Sequence, residues 1–133
     1  MSTASTGNEP LIAVAPEYFV SDLSRSVRFW KDELGCRVLR QDANFAGLVF
    51  EDAHIMLATA HSDAIARWLD SGPRGVGMHV RFMAKDLDDL YRRLVNNGVP
   101  IVSAIADRPY GLRDFIIADP DGFQLGFAAP IKA

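Results

Sequence analysis

The chain has little of what several familiar classes of function require. One cysteine in 133 residues rules out an internal disulfide framework and any zinc site built from cysteines. The longest purely aliphatic run, residues 11–15, is far shorter than the roughly 20 residues of a membrane-spanning helix. Fourteen Lys and Arg against 17 Asp and Glu leave a net charge of −3, whereas nucleic-acid binding needs a concentrated basic patch. We therefore expect neither nucleic acid nor a membrane as a partner.

Signals for phosphate binding, nucleophilic catalysis and export are also missing. Gly72, Gly75 and Gly77 lack the spacing of a phosphate-binding loop and the Lys-Ser/Thr pair that completes one. No nucleophile stands in a pattern with a base, and Cys36 is expected to be a small buried hydrophobe. Residues 1–10 have no basic stretch followed by an apolar one, so they read as a polar tail and not as a signal peptide. The expected location is the cytoplasm.

What the chain does have is a globular composition, with 49% apolar and 23% charged residues. Its length suits one domain or two half-size modules that share a core. The order of predicted elements favours the second arrangement. Residues 11–21 predict a strand whose Pro16 favours a sheet edge, and Asp22 is a plausible helix N-cap. A helix with Trp30 on its apolar stripe then ends at Gly35, and strands follow at 36–40, 45–50 and 54–59.

The same order recurs in the second half. A strand is predicted at 76–84, and a helix capped by Asp86 ends at Asn97-Gly98. Strands follow at 100–105, 112–118 and 124–128, the last two joined by the turn 119–122.

The recurrence is visible in the residues themselves. Residues 19–23 (FVSDL) parallel residues 83–87 (MAKDL) at an offset of 64. Each half is therefore one βαβββ unit, and neighbouring repeats usually complete each other's core. The predicted organisation is a disordered tail (1–10), a first module (11–60), a linker with a short helix (61–75), a second module (76–129) and a tail (130–133).

Two motifs give these halves a family likeness. The first motif reads Ala15-Pro16-x-x-x-Val20-x-Asp22-Leu23-x-x-Ser26-Val27-x-Phe29-Trp30-x-x-x-Leu34-Gly35, and the second Arg108-Pro109-Tyr110-Gly111-x-Arg113-x-Phe115 followed by Asp119-Pro120-Asp121-Gly122. They resemble the opening and closing halves of the vicinal oxygen chelate superfamily of glyoxalases, bleomycin resistance proteins and extradiol dioxygenases. The resemblance spans about residues 11–129. It implies an α+β fold in which two tandem βαβββ modules form a cup-shaped mixed sheet with the helices outside, and a homodimer.

The resemblance also locates the positions at which metal-using members hold their ion. These positions carry Ala15, Met56, His79 and Gly126 here, so His79 alone keeps a ligand type, and a thioether suits Mn, Fe or Ni poorly. The chain therefore resembles the metal-free, drug-binding branch, and we expect no metal and no cofactor. A displaced site of two histidines and one carboxylate, from His54, His79 and Glu17, stays open as an alternative.

Strand alternation selects the remaining site candidates. His79 and Arg81 share a face that is opposite to the face of Val80 and Phe82, so we assign them to the cup. His79 could contact a ligand there or be a relic. Glu17 occupies the repeat position of Arg81, which places the two opposite each other, either as a structural ion pair or as a functional carboxylate. The predicted ligand-binding residues are Glu17, Phe45, Met56, His79, Arg81, Tyr110, Arg113 and Phe115.

Two classes of function remain in view. The first is a binding module that sequesters a small organic molecule with an aromatic part, such as a drug or antibiotic, without a metal. The second is a lyase, isomerase or dioxygenase with an unusual metal site or a metal-free acid–base pair.

Overall fold

A computed structural model of the protein describes residues 14–132. In that part of the chain, two βαβββ units follow each other, joined by a short helix. The first unit comprises β1 (Glu17–Phe19), α1 (Leu23–Arg28) with a π-helical turn directly after it (Phe29–Glu33), β2 (Arg37–Gln41), β3 (Phe45–Phe50) and β4 (Ala53–Ala58). The connecting helix is α2 (Asp63–Leu69), and the second unit comprises β5 (Val80–Met83), α3 (Leu87–Asn96), β6 (Ile101–Asp107), β7 (Leu112–Ala118) and β8 (Gln124–Pro130).

Each unit forms its own four-stranded mixed sheet. The strand orders are β1-β4-β3-β2 and β5-β8-β7-β6, in which the first pair of each sheet is parallel and the other pairs are antiparallel. The expected α+β class with two tandem modules is confirmed. The strands form two ladders instead of one continuous sheet, because β1 and β5 each pair on one side only. No helix within residues 14–132 has the length and apolar character needed to cross a membrane.

Several predicted element ends move. The strand expected over 11–21 is confined to Glu17–Phe19 within the described residues, and 11–13, like the tail 1–10, lie outside them. The strand expected from residue 76 begins at Val80, because Gly75 and Gly77 adopt φ of 62° and 80° and turn the chain before it.

The two helix starts also differ from each other. Asp22 caps α1 as predicted, since its carboxylate accepts from the Arg25 amide at 3.0 Å. Asp86 occupies the corresponding position of α3, but its side chain makes no capping hydrogen bond. The prediction that Asp86 caps this helix was therefore wrong.

One aromatic cluster joins the two halves. The Trp30 side chain is fully buried and packs against Tyr18 of its own half and Phe82 of the other, with ring centroids 5.4 and 5.9 Å apart. Phe50 of the first half lies 5.2 Å from Phe127 of the second. Burying each such ring contributes on the order of 2–3 kcal/mol. The sheet face at this cluster also packs against the helix of its own half, as Tyr91 of α3 does against Phe115 with ring centroids 4.9 Å apart.

The contact surface between the two halves, which we call the joint, has an approximate twofold axis. The Asn97 side-chain amide donates to the Glu33 carboxylate at 2.9 Å, and Arg93 donates to the Glu33 backbone carbonyl. Positions 33 and 97 differ by the 64-residue offset of the repeat, so equivalent positions of the two halves touch each other. This places the pseudo-axis beside the end of the π-helical turn that follows α1 and the end of α3.

Two carboxylates accept hydrogen bonds across the joint at positions related by the same axis, and we call these two contacts the clasps. The Ser21 amide donates to Asp121 at 3.2 Å, and the Lys85 amide donates to Glu51 at 2.9 Å. Ser21 and Lys85 are again 64 residues apart. In each clasp, a hairpin turn of one half meets the backbone just before the helix of the other half.

The two clasps are unequal in strength. The Asp121 side chain is 4% exposed, accepts a second hydrogen bond from the Ser21 hydroxyl at 2.6 Å, and lies 3.6 Å from the Arg25 guanidinium. Glu51 is exposed and accepts from Lys85 without such additional partners.

We expect Asp121→Asn to lower the free energy of unfolding by about 1–3 kcal/mol, because it weakens charge-assisted hydrogen bonds in a buried place. Glu51→Gln, the symmetry-related control, should cost less than half as much. Urea unfolding of both variants measures the difference. Equal losses would contradict the inequality of the clasps.

Asp119 is a buried acid in the turn that carries Asp121. One of its carboxylate oxygens accepts from the amides of Phe123 at 2.7 Å and Asp121 at 3.0 Å, and the other has no partner in the described structure. Burial raises its pKa to about 6, against the lowering effect of the Phe123 amide, and the charge of Asp121 adds to the rise. The buried Tyr18 hydroxyl also has no partner, and its pKa is raised by burial and by Asp119.

The pKa of Asp119 predicts a pH dependence of stability. The folded state binds this proton more tightly than the unfolded chain, so its contribution is complete below pH 4 and is lost as the pH rises through about 6. Asp119→Asn keeps the acceptor oxygen and removes the titration. Between pH 4 and 7 the wild-type protein should therefore lose on the order of 2–3 kcal/mol relative to this variant, as measured by urea unfolding across that range. A constant difference would contradict the assignment.

Candidate functional site

The candidate site lies on the second sheet, on the face turned away from the aromatic cluster. Arg81 of β5 and Ile116 of β7 both pair in register with Gly126 of β8. Since side chains alternate along a strand, Met83 and Asp114 share this face. We call it the Arg81 face and define it by Arg81, Met83, Asp114, Ile116 and Gly126.

Asp114 organises the polar part of this face. It is 6% exposed, accepts from the Arg108 guanidinium at 2.7 Å and from the Tyr110 hydroxyl, and lies 3.5 Å from the Arg81 guanidinium. Burial alone would raise its pKa, but the hydrogen bonds from Tyr110 and Arg108 outweigh that effect and hold the pKa below the usual value. A charged Asp114 thus orients two arginines and a tyrosine. Sequence analysis missed both Asp114 and Arg108.

Arg81 is the exposed member of the network. Its guanidinium carbon lies 5.5 Å from the centre of the Tyr110 ring, within the range of a cation–π contact. Its side chain is 40% exposed. The hydrogen bond to Asp114 raises the pKa of Tyr110, so the phenol stays neutral and remains a donor. The arginine is oriented by its neighbours and still has guanidinium donors facing solvent.

His79 rests directly on Gly126. A Cβ atom at position 126 would lie 3.3 Å from the His79 Nε2 atom and 3.4 Å from Cδ2. The absence of a side chain at Gly126 therefore gives the half-buried imidazole its place. His79 and Arg81 were predicted to share one face of the strand and to line the cup. The contact with Gly126, the register partner of Arg81, puts both on the Arg81 face, and a ligand-binding role for His79 stays a prediction.

A groove of about 640 Å³ runs along Arg81 and Met83 to the β3–β4 turn of the other half. Its size lies within the range of small-molecule sites. The apolar part of its wall consists of Phe50, Ala53, Phe82, Met83, Ala84, Ala129 and Pro130, and its charged part of Arg81, Lys85, Lys132, Glu51 and Asp52.

Three of the predicted residues lie on the first sheet. Glu17 pairs in register with Met56, and the Phe45 ring lies under the Arg40 guanidinium at 4.9 Å. Glu17 lines a separate pocket of about 100 Å³ beside the exposed Trp68. The described structure does not pair Glu17 with Arg81, because Asp114 supplies the carboxylate that Arg81 meets.

Arg113 and Phe115 do not join the site. The Arg113 guanidinium hydrogen-bonds Asp88 of α3 at 2.8 Å and Asp107 at 3.1 Å, and Phe115 is fully buried and stacks on Phe127. Both lie on the opposite face of β7 from Asp114. Sequence analysis therefore assigned this strand to the wrong face, although a core position at Phe115 would have placed Asp114 on the open face.

The positions that hold a metal in some members of the family that this chain resembles do not carry a set of metal-binding side chains here. Ala15 and Gly126 have no side-chain donor atom, and Met56 offers only a thioether. Within residues 14–132 no three His, Cys, Asp or Glu side chains are grouped closely enough to hold an ion. The displaced set of His54, His79 and Glu17 is accordingly not formed by one chain. These residues do not fit a divalent metal.

We expect Gly126→Ala to displace the His79 imidazole, because the new methyl group would be closer to the ring than ordinary contacts allow. The change should appear as a shift of the His79 ring signals in NMR spectra, with the fold retained. Gly47→Ala is the control, since its Cβ would lie 3.7 Å from the Phe45 ring, an ordinary contact. Unchanged His79 signals in Gly126→Ala would contradict the described packing.

Comparison with known proteins agrees with this architecture. A model of the Glyoxalase/Bleomycin resistance protein/Dioxygenase superfamily matches residues 12–127. A bleomycin resistance protein from Geobacillus stearothermophilus is 26% identical over 128 residues, which cover 89% of this chain and 96% of that protein.

Solved structures show the same fold. TioX from Micromonospora sp. ML1 superposes with a TM-score of 0.71 at 21% identity, covering 92% of this chain and 98% of that one. The bleomycin-binding protein of Streptomyces verticillus, solved with copper(II)-bleomycin, superposes with a TM-score of 0.64 at 20% identity, covering 92% and 99%. The chain belongs to the Glyoxalase/Bleomycin resistance protein/Dioxygenase superfamily.

Proposed function

We propose that the protein binds a small organic molecule with an aromatic part and sequesters it unchanged. Its similarity to bleomycin resistance proteins and to a bleomycin-binding protein supports the proposal. The observation that carries the proposal is the Arg81 face, where an arginine that lies against the Tyr110 ring borders a partly apolar groove. A few fixed polar groups beside apolar walls are typical of small-molecule sites. Such a protein would act in the cytoplasm, by stoichiometric capture.

The acting form in this proposal is a homodimer. The groove beside Arg81 and the strip of Glu17, Met56 and Phe45 on the first sheet are separate surfaces of one chain. A second copy would bring the strip of one chain to the groove of the other, enclosing a ligand more completely. Sedimentation analysis should give twice the monomer mass.

The capture proposal is tested by growth of a sensitive bacterial host that expresses the chain. The host is challenged with aromatic antibiotics of both charge signs, bleomycin among them. We expect protection that scales with the amount of protein, and recovered drug of unchanged mass. A drug recovered in altered form would favour a lyase, isomerase or dioxygenase, and the absence of protection and of binding would contradict capture.

The residue-level test measures how tightly the Arg81→Gln variant binds the drug against which the host is protected. Its dissociation constant should rise about tenfold, because a charge-assisted hydrogen bond is worth roughly 1.5–3 kcal/mol. Arg113→Gln is the matched control, since Arg113 pairs with Asp88 and Asp107 on the opposite face and its loss should leave affinity unchanged. Isothermal titration calorimetry on folded variants measures both constants. A larger effect at Arg113 would move the site to the other face.

A further inference from the structure

We propose that the Arg81 face selects ligands that carry an anionic group, such as a carboxylate or sulfonate, beside their aromatic part. This inference rests on the proposed function and adds the charge class of the ligand. It is drawn from the distribution of charge around the groove and from the hydrogen bonds and ion pairs that hold Asp114, Asp88 and Asp107.

The groove and the network beside it carry a positive excess. Four basic side chains face three carboxylates there, although the whole chain has a net charge of −3. The basic groups are Arg81, Arg108, Lys85 and Lys132, and the acids are Asp114, Glu51 and Asp52. Lys85 and Lys132 also line a neighbouring pocket with Asp86, Asp88 and Asp89, so the excess that favours anions beside Arg81 comes from Arg81 and Arg108 against Asp114.

Asp114 does not cancel the charge of Arg81. The stronger partner of this carboxylate is Arg108, whose Nε donates at 2.7 Å, and Tyr110 adds a second hydrogen bond. Arg81 lies farther away, at 3.5 Å. The buried carboxylate is thus neutralised by Arg108, and Arg81 supplies the surplus charge.

Three further acids, Glu51, Asp88 and Asp107, have partners of their own, and Asp52 lies exposed on the β3–β4 turn. Glu51 accepts from the Lys85 amide in the weaker clasp. Asp88 and Asp107 are held by Arg113 on the opposite face of the sheet. Neither arrangement offers Arg81 a carboxylate, so an anionic ligand would complete its hydrogen bonding.

The surroundings of Arg81 suit an anion that is attached to a flat ring. The Tyr110 ring covers one side of the guanidinium, and Met83, which is half exposed, starts the apolar wall of the groove. A carboxylate could accept from the guanidinium while its ring lies along that wall. A ligand cation at the same place would meet the like charge of Arg81.

The test compares three probes that share one ring system and differ in charge: naphthalene-2-carboxylate, naphthalene-2-carboxamide and 2-naphthylmethylammonium. Titration calorimetry of the full chain gives the three dissociation constants. We expect the carboxylate to bind about tenfold more tightly than the amide, and the ammonium probe to bind more weakly than the amide. The advantage of the carboxylate should fall with added salt.

Two variants assign the preference to its source. Arg81→Gln should bring the ratio of carboxylate to amide affinity close to one. Arg92→Gln removes the same charge from α3, where Arg92 pairs with Asp89, and should leave the ratio unchanged. A ratio that falls equally in both variants would mean general attraction and would overturn the inference.

The outcomes separate the two proposals. Equal binding of the three probes, or a preference for the ammonium probe, would overturn the charge inference and leave capture standing. Failure of all three probes to bind, together with the absence of protection in cells, would contradict both.

Discussion

The packing of aromatic rings between the two halves is the constraint on which the rest of the structure depends. A single half of about 60 residues buries so little surface that it would be only marginally stable alone. Each four-stranded sheet also has one apolar face that must be covered. Trp30, Phe50, Phe82 and Phe127 meet at that joint. The carboxylate clasps and the contact between Glu33 and Asn97 then fix the angle at which the halves join.

The position of the site follows from this packing. Phe82 faces the joint, so its neighbour Arg81 faces away from it. The same alternation puts Phe115 in the core and Asp114 in the open network. The candidate face is thus the reverse side of the face that stabilises the fold.

The repeat and the elements of each half could be predicted from the sequence, because capping residues, stop glycines and alternation are local signals. Trp30 and Cys36 were correctly expected to be buried. Burial raises the pKa of the Cys36 thiol to about 12, which agrees with an unreactive residue.

The partners of the site residues could not be predicted in the same way. Repeat symmetry suggested Glu17 as the partner of Arg81, but the ladder brings β7 close to β5 through β8, and so Asp114 reaches Arg81 first. Arg113 was assigned to the site because the family motif contains it, without regard to strand parity. Which side chains pair across β5, β8 and β7 depends on the register of all three strands, and the sequence of one strand does not give that register.

The contact between positions 33 and 97 shows how the two halves of the chain are related by symmetry. When a residue meets its own counterpart across an axis, the surface is self-complementary, which is the geometry of an isologous interface between identical subunits. The joint of this protein is therefore built like the interface of a symmetric dimer whose two subunits have been linked covalently. The two linked copies are not identical, and within the described residues the arginine network lies in the second half.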